Sequence, residues 1–139
     1  MRGKLMRDVV EDQRATGIEL THRLFAERFA AADLDGLLEL YAPDALLLPQ
    51  AGSEVRGHAA IREALGGFIA LGGRFTMAPP RCLRAGDIAV LHADWQLSAS
   101  GPDGQPVHLG GHTADVVLRQ ADGTWRIVID NPWGDAVTA

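Results

Sequence analysis

The chain has a single cysteine, few basic residues and no long apolar run, and each shortage excludes a class of protein. Cys82 alone can form neither an internal disulfide nor a zinc site built from cysteines, and we interpret it as an inert, partly buried thiol. The 13 Lys and Arg residues are scattered and outnumbered by 18 Asp and Glu, so that the net charge is −5. We therefore expect no nucleic-acid partner, because binding to phosphates requires clustered basic side chains.

Segments that direct a chain to or across a membrane are missing as well. No stretch approaches the roughly 20 apolar residues of a membrane span. Residues 1–8 contain basic side chains but not the apolar core of a signal peptide. The sequence also has no glycine-rich phosphate loop after a strand and no metal-binding motif with fixed spacing. These absences predict a cytoplasmic protein that uses no membrane, no metal and no nucleotide cofactor.

The residues that are present form the pattern of one globular domain over residues 1–139, with 47% hydrophobic and 22% charged residues. Apolar residues recur at helical spacing in the first half of the chain. They predict helices over residues 9–31, 33–41 and about 58–71, with Asp33 as an N-cap. An apolar run at 45–49 predicts a short strand between the last two helices.

Two hairpins are predicted in the second half, after short strands at 74–77 and 81–84. The pair Asp122-Gly123 lies between alternating apolar residues and predicts a two-residue turn between strands 105–120 and 124–133. Residues 101–104, Gly-Pro-Asp-Gly, predict a type I turn followed by a left-handed glycine, which joins strand 87–100 to strand 105–120. These turns place His112 across from Asp94 on one side and across from Trp133 on the other.

Because side chains alternate along a strand, the two registers divide the sheet into two faces. One face has a long apolar base that becomes polar at one end, where its residues are His92, Asp94, His112, Asn131 and Trp133. The other face contains Asp115, Asp130 and Trp95. We expect the first face to line a pocket, because its apolar base is longer, and the second face remains the alternative.

Three segments of the chain carry a family resemblance: LYAPDALLLP at 40–49, GHAAIREAL at 57–65 and DGTWRIVIDNPW at 122–133. They resemble the nuclear-transport-factor-2-like superfamily, in particular its SnoaL-like polyketide cyclases and ketosteroid-isomerase-like proteins. The resemblance covers about residues 12–134. It implies an α+β fold of the cystatin-like kind, in which a strongly curved antiparallel sheet forms a cone-shaped barrel around three N-terminal helices. It also implies a pocket at the open end and a homodimer formed through the outer face of the sheet.

The resemblance carries over to catalytic residues only in part. The carboxylate base of the ketosteroid isomerases follows the Tyr-Ala-x-Asp-Ala motif by a few residues, and here the sequence reads Leu-Leu-Pro-Gln at 47–50. Steroid isomerisation by that mechanism is therefore not expected, although the oxyanion-binding acid of those isomerases has an approximate match at Asp115. The SnoaL-like cyclases work with a histidine and an aspartate in the pocket. By analogy, His112 oriented by Asp94 is our candidate acid–base pair.

These observations lead to two hypotheses on function. The first is a cofactor-free acid–base enzyme of the isomerase, cyclase or dehydratase type, acting on a hydrophobic carbonyl compound. The second is a non-catalytic ligand-binding or dimeric accessory module. The alternative acid pair is Asp115 with Asp130, since two adjacent carboxylates share one proton.

The remaining predictions name contact residues. Ligand-binding candidates are His92, Asn131, Trp133, Tyr41 and Gln50. For the homodimer, the predicted contacts on the outer face are Leu91, Trp95, Leu97, Val117 and Val128. The reason is that both faces of the sheet are apolar in mid-strand, whereas the helices can cover only one.

Overall fold

The computed structural model describes residues 17–135, and within this range three helices pack on one curved sheet. The helices are α1 (Leu20–Ala30), α2 (Leu34–Leu38) and α3 (His58–Ala70). The strands are β1 (Tyr41–Gln50), β2 (Ser53–Arg56), β3 (Arg74–Met77), β4 (Arg81–Ala85), β5 (Ile88–Ser100), β6 (Pro106–Arg119) and β7 (Trp125–Asp130). The predicted α+β class and the three helices with a curved sheet are confirmed. The predicted helical residues 9–16 lie outside the described range.

The sheet has the order β2-β1-β7-β6-β5-β3, and β4 also pairs with β5. Its neighbours are antiparallel except for β1 and β7, which run parallel. Two local predictions were wrong: β2 lies where a loop was expected, and β1 begins at Tyr41, the residue at which the second helix was predicted to end. Among the described residues, no helix is both long and apolar enough to span a membrane.

The N-terminal helices are fixed by local chemistry and by their apolar faces. Asp33 caps α2 as predicted, since its side chain accepts a hydrogen bond of 2.9 Å from the amide of Gly36. Leu24 and Phe29 of α1 and Ile61 of α3 are buried against the sheet. Burial of these apolar faces, rather than helix propensity alone, holds short helices in place.

The β5–β6 hairpin has the predicted register over its whole length. Asp94 pairs with His112, and the ladder runs from the pair Ile88–Leu118 to the pair Ser100–Pro106. The turn closes with a hydrogen bond of 2.9 Å from the amide of Gly104 to the carbonyl of Gly101. Gly104 has a φ of +78°, the left-handed conformation that its position in this turn requires.

The β6–β7 turn is one residue longer than predicted. The amide of Gln120 donates to the carbonyl of Thr124 at 2.7 Å, so the loop consists of residues 121–123. Arg119 consequently pairs with Trp125, and Val117 with Ile127. Further along, Val116 pairs with Ile129, because an extra residue in β7 forms a bulge that returns the ladder to the predicted register.

The helices pack on the face that was not expected to line the pocket. The interior residues of β5 and β6 are Ala89, Leu91, Ala93, Trp95, Leu97, Thr113, Asp115 and Val117. The other face is the outer one, where Ile88, Leu118 and Ile129 are 45%, 36% and 37% exposed. The prediction failed because it compared only the lengths of the two apolar rows, whereas both rows are apolar in mid-strand and their lengths do not determine which one the helices cover. The longer turn also moves Trp125 and Ile127 to the inner face.

The expected dimer contacts require the same correction. Leu91, Trp95, Leu97 and Val117 belong to the core and are at most 7% exposed, so they cannot form a surface between two subunits. Val128, at the bulge, is half-buried. Cys82 is exposed rather than partly buried.

Candidate functional site

A pocket lies between the inner face of the sheet and helices α1 and α3, and its wall is almost entirely apolar. The space free of protein atoms in the pocket and in the open solvent at its mouth is together about 610 Å³. Its polar lining residues are His22, Thr113, Asp115 and Asp130. Its apolar lining residues are Phe25, Phe29, Phe68, Phe75, Met77, Trp95, Leu97, Ile127, Pro132 and Trp133.

Five aromatic rings form a continuous wall on one side of this pocket. Phe75 is at its centre, with its ring centroid 5.7 Å from that of Phe25, 4.9 Å from that of Phe29 and 6.2 Å from that of Trp95. Trp133 extends the wall through an edge-on contact with Trp95 at 5.4 Å. Ring pairs at these distances attract each other beyond the burial of their area, which keeps the wall rigid.

Asp115 is the most highly connected polar group in the pocket wall. One carboxylate oxygen, Oδ2, lies 2.7 Å from Nε2 of His22 on α1. The other, Oδ1, accepts hydrogen bonds from the Thr113 hydroxyl at 2.6 Å and from the backbone amide of Asn131 at 3.0 Å. A buried carboxylate is tolerated only where such donors replace water. Asp115, which is 3% exposed, is therefore held in one orientation.

Asp130 continues this network toward β1. The hydroxyl of Tyr41 donates a hydrogen bond to its Oδ2. Burial raises the pKa of Asp130 well above its usual value, and the neighbouring negative charge and hydrogen bond of Asp115 raise it further, although the Tyr41 hydrogen bond opposes the shift. The environment of the acid pair therefore favours the protonated form of Asp130.

Tyr41 was a ligand-binding candidate, but it is completely buried behind Asp130 and does not line the pocket. Burial raises the pKa of its hydroxyl well above the usual value, and the interaction with Asp130 raises it further. Tyr41 is thus a neutral hydrogen-bond donor that orients Asp130. It acts behind the pocket wall rather than on a ligand.

His22 is the functional candidate that the sequence did not reveal. Its ring lines the pocket, its Nε2 contacts Asp115, and its Nδ1 is buried without a hydrogen-bond partner, as is the hydroxyl of Thr21. The tautomer with its proton on Nε2 satisfies Asp115 and leaves a lone pair on Nδ1. The available signal was a histidine among the apolar positions of α1, but its partner lies 93 residues away in sequence.

A short turn after β7 closes one side of the mouth. Trp95 donates from its indole Nε1 to the carbonyl of Pro132 at 2.7 Å, and Trp133 donates from its Nε1 to the carbonyl of Leu48 at 2.9 Å. The Asn131 side chain bonds within the turn, to the Gly134 carbonyl at 2.7 Å. Of these residues, Pro132 and Trp133 line the pocket, whereas Asn131 is a structural part of the turn.

The expected pair of His112 and Asp94 forms, but outside the pocket. Nδ1 of His112 lies 2.8 Å from Oδ1 of Asp94, and the two side chains are 41% and 79% exposed on the outer face. His92 stacks on His112 there at 5.4 Å.

Gln50 is exposed and does not line the pocket. Of the expected ligand-binding residues, Trp133 alone lines the pocket, together with both members of the alternative acid pair, Asp115 and Asp130.

Comparisons with known proteins identify the fold. The family model of the SnoaL-like domain matches residues 22–128, well over half of the chain. No curated protein has a significant sequence match. A nuclear-transport-factor-2-like superfamily protein from Salmonella enterica superposes with a TM-score of 0.69 at 24% identity, over 82% of this chain and 85% of the other.

Two further solved structures have the same architecture. A candidate dehydratase of the nuclear-transport-factor-2-like family from Streptomyces avermitilis matches with a TM-score of 0.69 at 16% identity, over 82% of this chain and 91% of the other. A protein of this type with a cystatin-like fold from Novosphingobium aromaticivorans matches with a TM-score of 0.69 at 18% identity, over 93% of this chain and 82% of the other. The chain therefore belongs to the SnoaL-like domain family.

Proposed function

We propose that this protein is an acid–base enzyme of the isomerase, dehydratase or cyclase type, acting on a hydrophobic carbonyl compound in the pocket that contains Asp130, Asp115 and His22. One observation carries the proposal: a chain of four hydrogen-bonded titratable groups, Tyr41–Asp130–Asp115–His22, is buried in the wall of an otherwise apolar pocket. Such clusters are costly to bury, and they concentrate at sites of proton transfer. The architectural relative described as a candidate dehydratase is compatible with this class.

Asp130 supplies the acid. Its raised pKa favours the protonated form. When the carbonyl oxygen of a substrate replaces Asp115 as the acceptor of this single proton, Asp130 donates its hydrogen bond to the substrate. Tyr41 fixes the carboxyl group by occupying Oδ2. A donor held in place before reaction stabilises the negative charge that develops on that oxygen.

The Asp115–His22 dyad supplies the base. Asp115 accepts three hydrogen bonds from His22, Thr113 and the Asn131 amide, so it positions His22 rather than meeting the substrate. When the bond between hydrogen and the carbon beside the carbonyl breaks, the proton passes to the dyad. The electron pair moves toward the carbonyl oxygen, where Asp130 donates its hydrogen bond. Isomerisation, dehydration and cyclisation can all begin with this step.

Exchange of carbon-bound protons tests the proposal. A panel of hydrophobic cyclic ketones is incubated with the protein in D₂O, and loss of the proton signals beside the carbonyl is followed by NMR. We expect accelerated exchange that falls about 10²–10⁴-fold in Asp130→Asn and Asp115→Asn. The matched control is Asp87→Asn, an exposed residue paired with Arg119 on the sheet. No acceleration by the wild type, or equal rates in all variants, would contradict the proposal.

The same assay separates this site from the pair predicted from sequence. If His112→Ala lowers the exchange rate and Asp130→Asn does not, the outer His112–Asp94 pair is catalytic after all.

A non-catalytic binding module is the second candidate function. It is favoured by the complete satisfaction of both Asp115 oxygens within the protein, which is also what a purely structural carboxylate requires. Ligand binding without exchange would establish that alternative.

We further propose a homodimer through the outer face of the sheet, with contacts that differ from those expected. Large apolar side chains are exposed on four neighbouring strands of this face: Leu83, Ile88, Leu118 and Ile129. A second copy would cover them by two-fold symmetry. Light scattering at micromolar concentration should give twice the mass of 14.9 kDa. Leu118→Glu should reduce it to the monomer mass, whereas Gln96→Glu, exposed on the same face, should not. A monomeric wild type would contradict the proposal.

A further inference from the structure

The charge and shape of the pocket wall indicate which ligands it accepts. We infer that the pocket selects uncharged, planar, unsaturated ring compounds with a hydrogen-bond acceptor, and that it rejects carboxylates and other anions of the same shape. The inference deepens the proposed function and rests on it in taking this pocket as the ligand site. It concerns binding, so it can be tested without turnover.

The first argument is the absence of a cationic partner for an anion. Among the described residues that line the pocket there is no Lys or Arg, and the polar groups are His22, Thr113, Asp115 and Asp130. The Thr113 hydroxyl is already bonded to Asp115 and to the Asn131 carbonyl at 3.0 Å. An anionic ligand would therefore enter without the basic side chain that usually binds a carboxylate.

The second argument is repulsion by the acid pair. Asp115 and Asp130 are 3% and 7% exposed, so water screens their charge poorly. Two adjacent carboxyl groups that share one proton retain one negative charge between them. At separations of 4–5 Å and the effective dielectric constants of protein sites, like charges repel strongly enough to weaken binding on the order of 100-fold. A neutral acceptor avoids this repulsion and can take a hydrogen bond from Asp130.

The third argument is the shape of the aromatic wall. The rings of Phe25, Phe29, Phe75, Trp95 and Trp133 contact one another over centroid distances of 4.9–6.2 Å. A flat conjugated ring can stack on such a surface, and each ring pair adds to the attraction from buried area alone. A saturated ring of equal size buries the same area without this contribution, so it should bind about tenfold more weakly.

Three probes separate these arguments in isothermal titration calorimetry with the full chain. The reference is 2-acetylnaphthalene, which is planar, neutral and has a carbonyl acceptor. 2-Naphthoate differs from it mainly in charge, and 2-acetyldecalin mainly in planarity. We expect 2-acetylnaphthalene to bind best, 2-acetyldecalin about tenfold more weakly, and 2-naphthoate about 100-fold more weakly. Equal or tighter binding of either comparison compound, or no binding of 2-acetylnaphthalene, would overturn the inference.

Variants connect each preference to its residue. Asp115→Asn should reduce the discrimination against 2-naphthoate, and Phe75→Leu should reduce the preference for the planar ring. If a variant is unfolded by circular dichroism, the comparison of the three probes on the wild type decides. The expected order of affinity without proton exchange would refute the proposed catalysis but support this inference. Proton exchange together with a reversed order of affinity would support the proposed catalysis and refute this inference.

Discussion

Replacing Asp130 by asparagine removes the proposed acid. The stability of this variant relative to the wild type should increase as the pH rises. Asparagine has the shape of a protonated aspartate. Its carbonyl can accept the hydrogen bond from Tyr41, and its amide can donate toward Asp115. The network thus remains satisfied, but the residue at position 130 no longer titrates. The variant isolates the cost of ionising a carboxyl group that is buried beside another carboxylate.

The sign follows from proton binding in the two states. The pKa of Asp130 is raised in the folded state, so above the unfolded value, near 4, the folded state binds more protons than the unfolded state. The contribution of this residue to stability is complete at lower pH. It is lost as the pH rises from about 4 through the folded pKa. In that interval the free energy of unfolding of the wild type should fall relative to Asp130→Asn by about 1.4 kcal/mol per pH unit.

Urea unfolding, followed by tryptophan fluorescence between pH 3.5 and 8, measures this difference. Protein concentration is held constant, because association shifts apparent stability. Tyr41→Phe removes the hydrogen bond that lowers the pKa of Asp130, so its curve should fall over an interval that extends to higher pH. Gln96→Asn, exposed on the outer face, changes no titratable group and should run parallel to the wild type. A difference between wild type and Asp130→Asn that does not change with pH would refute the reasoning.

Two further substitutions test the packing of the site. His22→Leu should lower the free energy of unfolding by about 1–3 kcal/mol, because it removes a buried hydrogen bond to the carboxyl group of Asp115; a loss below about 0.5 kcal/mol in urea unfolding would contradict this. Gly111→Ala places a Cβ 2.9 Å from a backbone carbonyl and 3.2 Å from the indole Nε1 of Trp95, and should cost about 1–3 kcal/mol with a change in tryptophan emission. Its matched control is Gly67→Ala in α3, where nothing lies within 4 Å and about 0.5–1 kcal/mol of stabilisation is expected; equal effects at the two glycines would refute the steric argument.

The sequence predicted best what is determined by neighbouring residues. The Gly101–Gly104 turn is specified by its own glycines and proline, and it gave the β5–β6 register correctly, including the pair of Asp94 and His112. The α2 cap at Asp33 is equally local. What could not be predicted depends on distant contacts. His22 meets Asp115 across 93 residues, and Tyr41 meets Asp130 across 89.

The choice of face failed for a related reason. Both faces of β5 and β6 are apolar, so alternation alone cannot decide which face the helices cover. The inner face is distinguished by the indole of Trp95 and by a glycine opposite it. Trp95 pairs with Gly111, whose missing side chain leaves room for the indole to reach the Pro132 carbonyl. The outer face retains the exposed apolar side chains that a second copy would cover.

The bulge in β7 explains why the acid pair exists at all. With the three-residue loop at 121–123 and a regular ladder, continuation of the pair Val117–Ile127 would put Ile129 opposite Asp115 and leave Asp130 on the outer face. The extra residue at Val128 shifts the register, so that Val116 pairs with Ile129. The hydrogen bond of 2.8 Å from the Ala114 amide to the Asn131 carbonyl continues this register, which puts Asp130 opposite Asp115. Two irregularities of one residue each therefore cancel beyond the bulge. Trp125 and Ile127 lie between the loop and the bulge, and they are in the core. Asp115 and Asp130 lie beyond the bulge, and both are in the pocket wall.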